Sequence, residues 1–257
     1  MTEFVLLERR GAVAVVTMNR PERRNALGRE MRERLVGEFA ALDADDSCRA
    51  VVLTGGGGAF SSGGDLSDMP AGSVPAMHDR MRQAQRLLHA IAGCRKPVVA
   101  AVEGAAMGAG LSIAAACDHV VADPAARFGA AFLRVGLMPD LGLIWTLVRR
   151  VGLGRAKDMV MGAEPVAAEE ALRIGLADRL VPPGGALDAA VGRAEAYAAA
   201  APTALAFAKT AFLHAHGPLE PMLEMEALAQ VLLRGTADHA EGVAAFRERR
   251  APAFRGA

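Results

Sequence analysis

With 257 residues, 52% of them apolar, the chain can enclose one large core, or a core with an appendage. Its 29 basic residues balance 29 acidic ones, which removes any global attraction to nucleic acid or to an anionic membrane. Aromatic residues make up only 4%, too few for a base-stacking platform, and no apolar run is long enough to span a bilayer.

No basic segment precedes an apolar one at the start of the chain, so no leader is expected. Cys48, Cys94 and Cys117 have no Cys or His at ligand spacing and read as reduced thiols. A cytoplasmic protein without a bound metal is the expectation.

Residues 4–9 and 13–18 flank Arg10-Gly11-Ala12 as an N-terminal hairpin. After a polar loop containing Pro21, Met31, Leu35, Phe39 and Leu42 recur at helical spacing across 28–42. Residues 50–54 form a short continuous apolar run, the pattern of a parallel strand buried on both faces. Residues 55–64 are glycine-rich and irregular, and 65–74 read as a mobile loop. A helix over 77–91 and a buried strand over 97–102 follow. Residues 107–116 are small and apolar all round, as in an enclosed helix.

Further on, 118–122 reads as a strand and 127–134 as a short extended piece. Residues 141–151 read as a helix with Asp140 as its N-cap. Two shorter helices over 154–161 and 167–174 lead to a strand at 177–181, closed by Pro182-Pro183. From residue 187 only helices are expected, over 187–201, 203–216, 219–234 and 236–249. Strand and helix alternate up to a soft boundary at 183–200, which predicts α/β layering. The helical tail predicts a packing or assembly module.

The chemistry concentrates in two glycine-rich turns, residues 59–66 and 104–111, each emptied into by a buried-strand pattern. Two such turns can aim two peptide N–H groups at one atom, as an oxyanion hole requires, or can simply be tight turns. They are not dinucleotide fingerprints: the third glycine of that pattern would fall on Phe60 or Ile113. Gly110-Leu111-Ser112-Ile113-Ala114 approximates a nucleophile elbow, with Asp140 and His214 as nominal partners. Ser112 is equally a small residue that lets an enclosed helix pack closely. Arg23 and Arg24 beside a proline loop suit either phosphate or solvent. Asp140 has apolar neighbours that raise a carboxyl pKa and a following helix N-terminus that lowers it.

Taken together these stretches resemble the crotonase family, the enoyl-CoA hydratase/isomerase superfamily. The markers are Asn19-Arg20-Pro21 with Asn25-Ala26-Leu27, then Ala59-Phe60-Ser61-Ser62-Gly63-Gly64-Asp65-Leu66. Lys96-Pro97 through Glu103-Gly104, Gly108-Ala109-Gly110, Cys117-Asp118, Arg127-Phe128-Gly129, Glu241 to Phe246 and Pro252-Ala253-Phe254 complete the set.

The resemblance implies an α/β spiral of βα turns over residues 1–195. It also implies a helical oligomerisation region over 196–257, assembled as a homotrimer or homohexamer. The implied substrate is an acyl-CoA thioester, with coenzyme A part of the substrate and no separate cofactor. The N–H groups of Gly64 and Ala109 would bind the thioester oxygen. Arg24, Ala26, Phe60, Ser62, Asp65 and Leu66 would lie against the CoA, with Arg249 and Phe254 as further candidates.

The sequence departs from the hydratase pattern at two positions. Where hydratases of this family place their two glutamates, it has Ser112 and Phe132. Hydration calls for a carboxylate pair, whereas moving a double bond calls for one base. Asp140, in a segment resembling the aspartate-dependent Δ3,Δ2-enoyl-CoA and phenylacetate-pathway isomerases, supplies one. Phe132 and Leu141 would line the acyl pocket. The alternatives are a hydratase using Asp68 or Glu103, a non-catalytic acyl-CoA-binding homologue, and a dehalogenase-like branch in which an aspartate attacks carbon.

Overall fold

The computed structural model describes residues 3–68 and 73–257. A hairpin of β1 (Val5–Arg10) and β2 (Val13–Met18) opens the chain, followed by helix α1 (Arg29–Ala44) and strand β3 (Ala50–Gly55). Helix α2 (Val74–Ala92), strands β4 (Val98–Val102) and β5 (Ala105–Met107) and helix α3 (Ala109–Ala116) come next. Strands β6 (His119–Ala122) and β7 (Arg127–Gly129), helix α4 (Leu143–Gly162), β8 (Val166–Ala167), α5 (Ala168–Arg173) and β9 (Arg179–Leu180) complete the layered part. Four helices end the chain: α6 (Ala186–Ala198), α7 (Pro202–His214), α8 (Leu219–Arg234) and α9 (Ala237–Glu248).

The main sheet runs β1-β2-β3-β4-β6-β9, antiparallel at β1–β2 and parallel elsewhere. A smaller sheet, β5-β7-β8, stands beside it. The apolar runs of β3 and β4 have no polar face because both their faces are covered. Val51, Leu53, Val98 and Ala100 point into the larger core with α1, α2, α3 and α4. Val52, Val99, Ala101 and Val121 point the other way, onto Ala186, Ala190, Val191 and Ala194 of α6. Each such Val or Leu contributes roughly 1.5–3 kcal/mol by leaving water.

The hairpin, the parallel strands and the helical tail lie where the periodicities put them, within a few residues. Residues 127–134 differ: the strand stops at Gly129, and Ala131–Val135 is a 3₁₀ turn closed by Gly136 in the left-handed region. Residues 107–116 differ as well. Gly108, at φ 51° and ψ −121°, separates β5 from α3 with a turn that side-chain-bearing residues resist. The two expected helices either side of 152–153 form one run, kinked where Gly152 takes φ 76°. Of the 65–74 loop, 66–68 is a 3₁₀ turn and Ser73 caps α2, while 69–72 lie outside the described residues. All three cysteines are free and buried, and burial pushes Cys94 to about 11 and Cys117 to about 12, which keeps them as thiols.

One ion pair fastens the helical tail to the layered part. Lys209 of α7, nearly enclosed, donates to Asp118 Oδ2 at 2.6 Å and to the Lys96 carbonyl at 3.0 Å. Asp118 in turn accepts from the Val98 N–H at 2.7 Å, at the start of β4. Lys209→Ala removes this charge-assisted bond while Asp118 keeps its access to water, so thermal unfolding should show a loss of about 1.5 kcal/mol.

Candidate active site

The two glycine turns meet. The Phe60 and Ser61 N–H groups donate to the carbonyls of Glu103 and Ala105, both at 2.8 Å, and the Met107 N–H returns to Ser61 O at 2.9 Å. On its other side the first turn is tied to the N-terminal loop, with the Leu27 N–H on Gly63 O at 2.7 Å and the Ser62 N–H on Arg24 O at 2.8 Å. The turns are so close that a Cβ on Gly63 would fall 2.7 Å from the Met107 carbonyl and 3.5 Å from the Ala109 nitrogen. A Cβ on Gly110 would fall 2.6 Å from the Ser61 carbonyl. Only glycine permits this approach.

Ala109 is the first residue of α3, so its N–H has no acceptor within the helix and sits at the positive end of the helix dipole. Gly64 is exposed and follows Gly63, whose added Cβ would fall 3.5 Å from the Ala109 nitrogen. Among the described residues, neither N–H has a backbone partner in the loops and turns, so both are free to donate to a ligand.

Two residues that the sequence reading left out of the site hold this frame. Asn25, wholly buried at φ 55°, receives the Arg20 N–H on Oδ1 at 2.8 Å. Its Nδ2 donates to Gly56 O at 2.9 Å and Ala59 O at 2.7 Å. Ser61 Oγ donates to Asn25 O at 2.8 Å and accepts from the Gly63 N–H at 3.2 Å. An Asn directly after two arginines in a turn is a usable signal for the left-handed region. Nothing local marks Ser61.

Asp140 is not the N-cap of α4. That cap is Gly142, without a side-chain bond, because Leu141 at φ 49° and Gly142 at φ 68° turn the chain left-handed before the helix begins. The turn carries Asp140 upstream of the helix N-terminus, where its Oδ1 is buried without a hydrogen-bond partner. Burial holds its pKa above the ordinary carboxylate value, against the opposing pull of Arg80 and then Arg32.

Ser112 of α3, fully enclosed, lies 3.1 Å from the Asp140 carbonyl and 3.3 Å from the Gly108 carbonyl, so its hydroxyl proton goes to main chain. It has no histidine partner, which removes the nucleophile reading, and His214 lies exposed at the far end of α7. Ser112 links the helix that begins at Ala109 to the loop that carries Asp140. Ser112→Ala should cost about 1 kcal/mol of stability, and the loosened Asp140 loop should lower turnover more than substrate affinity in steady-state kinetics.

The other expected site residues are placed as follows. Phe132 is buried, its ring 3.8 Å from where a Cβ on Gly108 would stand, and Leu141 is enclosed in the core. Arg24 and Ser62 are exposed and Ala26 is buried beside them. Leu66 is exposed, whereas Phe60 is fully enclosed, with its N–H given to the Glu103 carbonyl, and presents no surface to a ligand. Asp65 is committed to Arg20 Nη1 at 2.7 Å and to Ser67 Oγ at 2.6 Å, which holds its carboxyl below the usual range. Arg249 and Phe254 stand apart: Arg249 closes α9, and the Phe254 ring packs at the place of a Gly242 Cβ, 3.4 Å away. Neither is brought to the glycine turns within one chain. No group of three or more metal-ligating side chains occurs among the described residues, and no helix there is long and apolar enough to cross a membrane.

A layered α/β chain with a mostly parallel sheet, its two glycine turns joined by main-chain hydrogen bonds, is the class of protein this fold defines. The chain belongs to the enoyl-CoA hydratase/isomerase family, whose model, described as "Enoyl-CoA hydratase/isomerase", matches residues 8–257. Its mixed α/β architecture is the crotonase fold.

A Rhodobacter capsulatus protein named "Probable enoyl-CoA hydratase" is 45% identical over 247 residues, covering 95% of both chains. The "1,2-epoxyphenylacetyl-CoA isomerase" of Escherichia coli K12 is 34% identical and covers both chains completely (100%). The crystal structure of an enoyl-CoA hydratase from Bacillus anthracis superposes with a TM-score of 0.94 at 28% identity, over 99% of this chain and 100% of that one.

Proposed function

We propose that the chain is an acyl-CoA isomerase that shifts a double bond from the β,γ to the α,β position. The observation that carries this reading is Asp140, a mostly buried carboxylate with an orphaned oxygen, fastened through Ser112 to the helix that starts at Ala109. The two positions where hydratases of this family place glutamates hold Ser112 and Phe132, which cannot transfer protons at neutral pH.

In this reading the Gly64 and Ala109 N–H groups hold the thioester oxygen, and negative charge grows on it as Asp140 removes a proton from C2. Asp140 then returns the proton at C4 of the same dienolate. The raised pKa of Asp140 brings it nearer to the weak carbon acid and makes the protonated form a usable donor. Phe132 and Leu141 keep water from the dienolate. The CoA lies along Arg24, Ala26, Ser62, Asp65 and Leu66, with Phe60 beneath them in the core.

Residues 196–257 serve assembly into a trimer or hexamer, which the exposed Leu219, Leu223, Leu228, Val231 and Leu232 of α8 support. Arg249 and Phe254 then complete a CoA site across subunits. No cofactor beyond the substrate's own coenzyme A is required, and the setting is cytoplasmic. Conversion of a 3-enoyl-CoA to its conjugated isomer, followed by the absorbance of the conjugated thioester, tests the reading. Water addition to crotonyl-CoA without that conversion would overturn it.

Hydration is the second reading, favoured by the name of the 45% identical relative. It requires acids outside the usual pair. Glu103, whose carboxyl is raised by burial and then by Asp123, is one candidate, and Asp68, which accepts the Arg29 N–H at 2.6 Å, is the other. Loss of crotonyl-CoA hydration in Glu103→Gln or Asp68→Asn would support it.

A further inference from the structure

Near Asp140 are two cations, Arg32 and Arg80, each with a buried Nε that has no hydrogen-bond partner among the described residues. Arg32 of α1 is only 5% exposed. Its Nη1 donates to the Leu27 carbonyl at 2.5 Å and its Nη2 is a long 3.5 Å from Asp68 Oδ2, while its Nε is buried with no hydrogen bond. Asp68 is only partly available to it, because the same oxygen accepts the Arg29 N–H.

Arg80 of α2 is half-buried, and its Nε too is buried without a partner among the described residues. No ion pair to Arg80 occurs among them, nor any between either arginine and Asp140 within 4.0 Å. The two guanidinium groups repel one another, and both attract Asp140. Like charges drawn together out of water, with donors unused, are costly unless an anion joins them.

Helices α1 and α2 pack on each other, and α2 reaches the Asp140 loop where Leu88 Cδ2 would stand 2.5 Å from a Cβ on Gly142. In the acyl-CoA reading a thioester held at the glycine turns presents C2 to C4 to Asp140, and an acyl group that extends past Asp140 meets the charges of Arg80 and Arg32. A carboxylate has two oxygens and can take one donor from each guanidinium. Its charge offsets the repulsion of the pair, and Asp140 is left at the reacting carbons.

Resting on the acyl-CoA reading above, we propose that Arg32 and Arg80 clamp a second, anionic terminus of the acyl group, so that the preferred substrates are thioesters of dicarboxylic acids.

Binding of saturated thioesters tests this, since they cannot isomerise and the outcome does not depend on the proposed reaction. Calorimetry would compare terminal-carboxylate thioesters, from glutaryl-CoA to suberyl-CoA, with methyl-terminated ones of equal length. For at least one length the carboxylate form should bind about tenfold more tightly or better. Arg80→Gln should erase that preference and leave the methyl-terminated series within about twofold of wild type. Arg80→Lys should keep part of it, and Asp140→Asn should keep all of it. Arg80 is chosen because Arg32 also holds the Leu27 carbonyl and its loss threatens the fold. Equal affinities for the two series in wild type, or an Arg80→Gln that weakens both alike, would overturn the proposal. Failure of the isomerase reading would show instead as absent C2-proton exchange with this preference intact.

Discussion

Asp140→Asn is expected to abolish double-bond migration while leaving CoA thioester binding in place. The loss should be on the order of 10³-fold or more, because in the proposed isomerase reading the amide removes the proton carrier itself and not merely a tuning contact. Exchange of the C2 proton in deuterated water should stop with it. If exchange and turnover survive at wild-type rates, Asp140 is not the base.

The same substitution should raise the melting temperature at neutral pH. Burial raises the folded-state pKa of Asp140 above its unfolded value, so the folded chain binds this proton more tightly. Stability from this group is therefore present at low pH and falls as pH rises from the unfolded value through the raised folded one. Above that window the ionised, unpartnered carboxylate is a standing cost that asparagine removes. Activity should move the opposite way, rising with pH as the base ionises. A melting curve for wild type and Asp140→Asn across that range tests both directions, and parallel curves would contradict the linkage.

Gly110→Ala is expected to damage the frame of the site more than its size suggests. In an open helix the change would gain up to about 1 kcal/mol. Here the new methyl would meet the Ser61 carbonyl at 2.6 Å and the Ser61 Cβ at 2.8 Å, both held by the strand-like contact between the two turns. Pushing them apart should cost about 2 kcal/mol net, a fall of roughly 5 °C in melting temperature. Because the displaced segments carry Gly64 and Ala109, kcat/KM should fall about 100-fold as the two N–H groups lose their common target. Gly154→Ala is the control. That exposed helical glycine has nothing within 4 Å of an added Cβ, so the same substitution should be neutral or stabilising.

The sheet was legible because β3 and β4 are covered on both faces, and that covering writes itself as runs of Val, Leu and Ala. The glycine turns were legible as turns, since glycine stands where a side chain would strike the Met107 or Ser61 carbonyl. Their meeting was open on pattern alone, one of two readings until the family resemblance favoured it, because it rests on main-chain hydrogen bonds between 60–61 and 103–107, to which no side chain testifies. Asp140 misled in its local role. An aspartate ahead of an apolar helix ordinarily caps it, and only the left-handed Leu141, a conformation leucine rarely takes, moves it clear. Arg32 passed as one more charge on a helix face, yet it is only 5% exposed on α1, the helix that packs on α2. Its isolation is a tertiary fact with no signature in spacing.

The two halves of the site are built on different ground. The glycine turns are laced to β5, to Asn25 and to the N-terminal loop by buried hydrogen bonds, so almost any change there disturbs the core. The segment that delivers Asp140 runs over the surface, with Leu133, Val135, Leu137 and Met138 all more than 40% exposed just before it. Mutation can therefore rewrite that segment, and with it the side chain presented beside the turns, without unsettling the glycine-turn half. Under the proposed reading such an architecture is open to new reactions by small steps, each variant inheriting the same pair of N–H donors and altering only what is done to the carbon beside them.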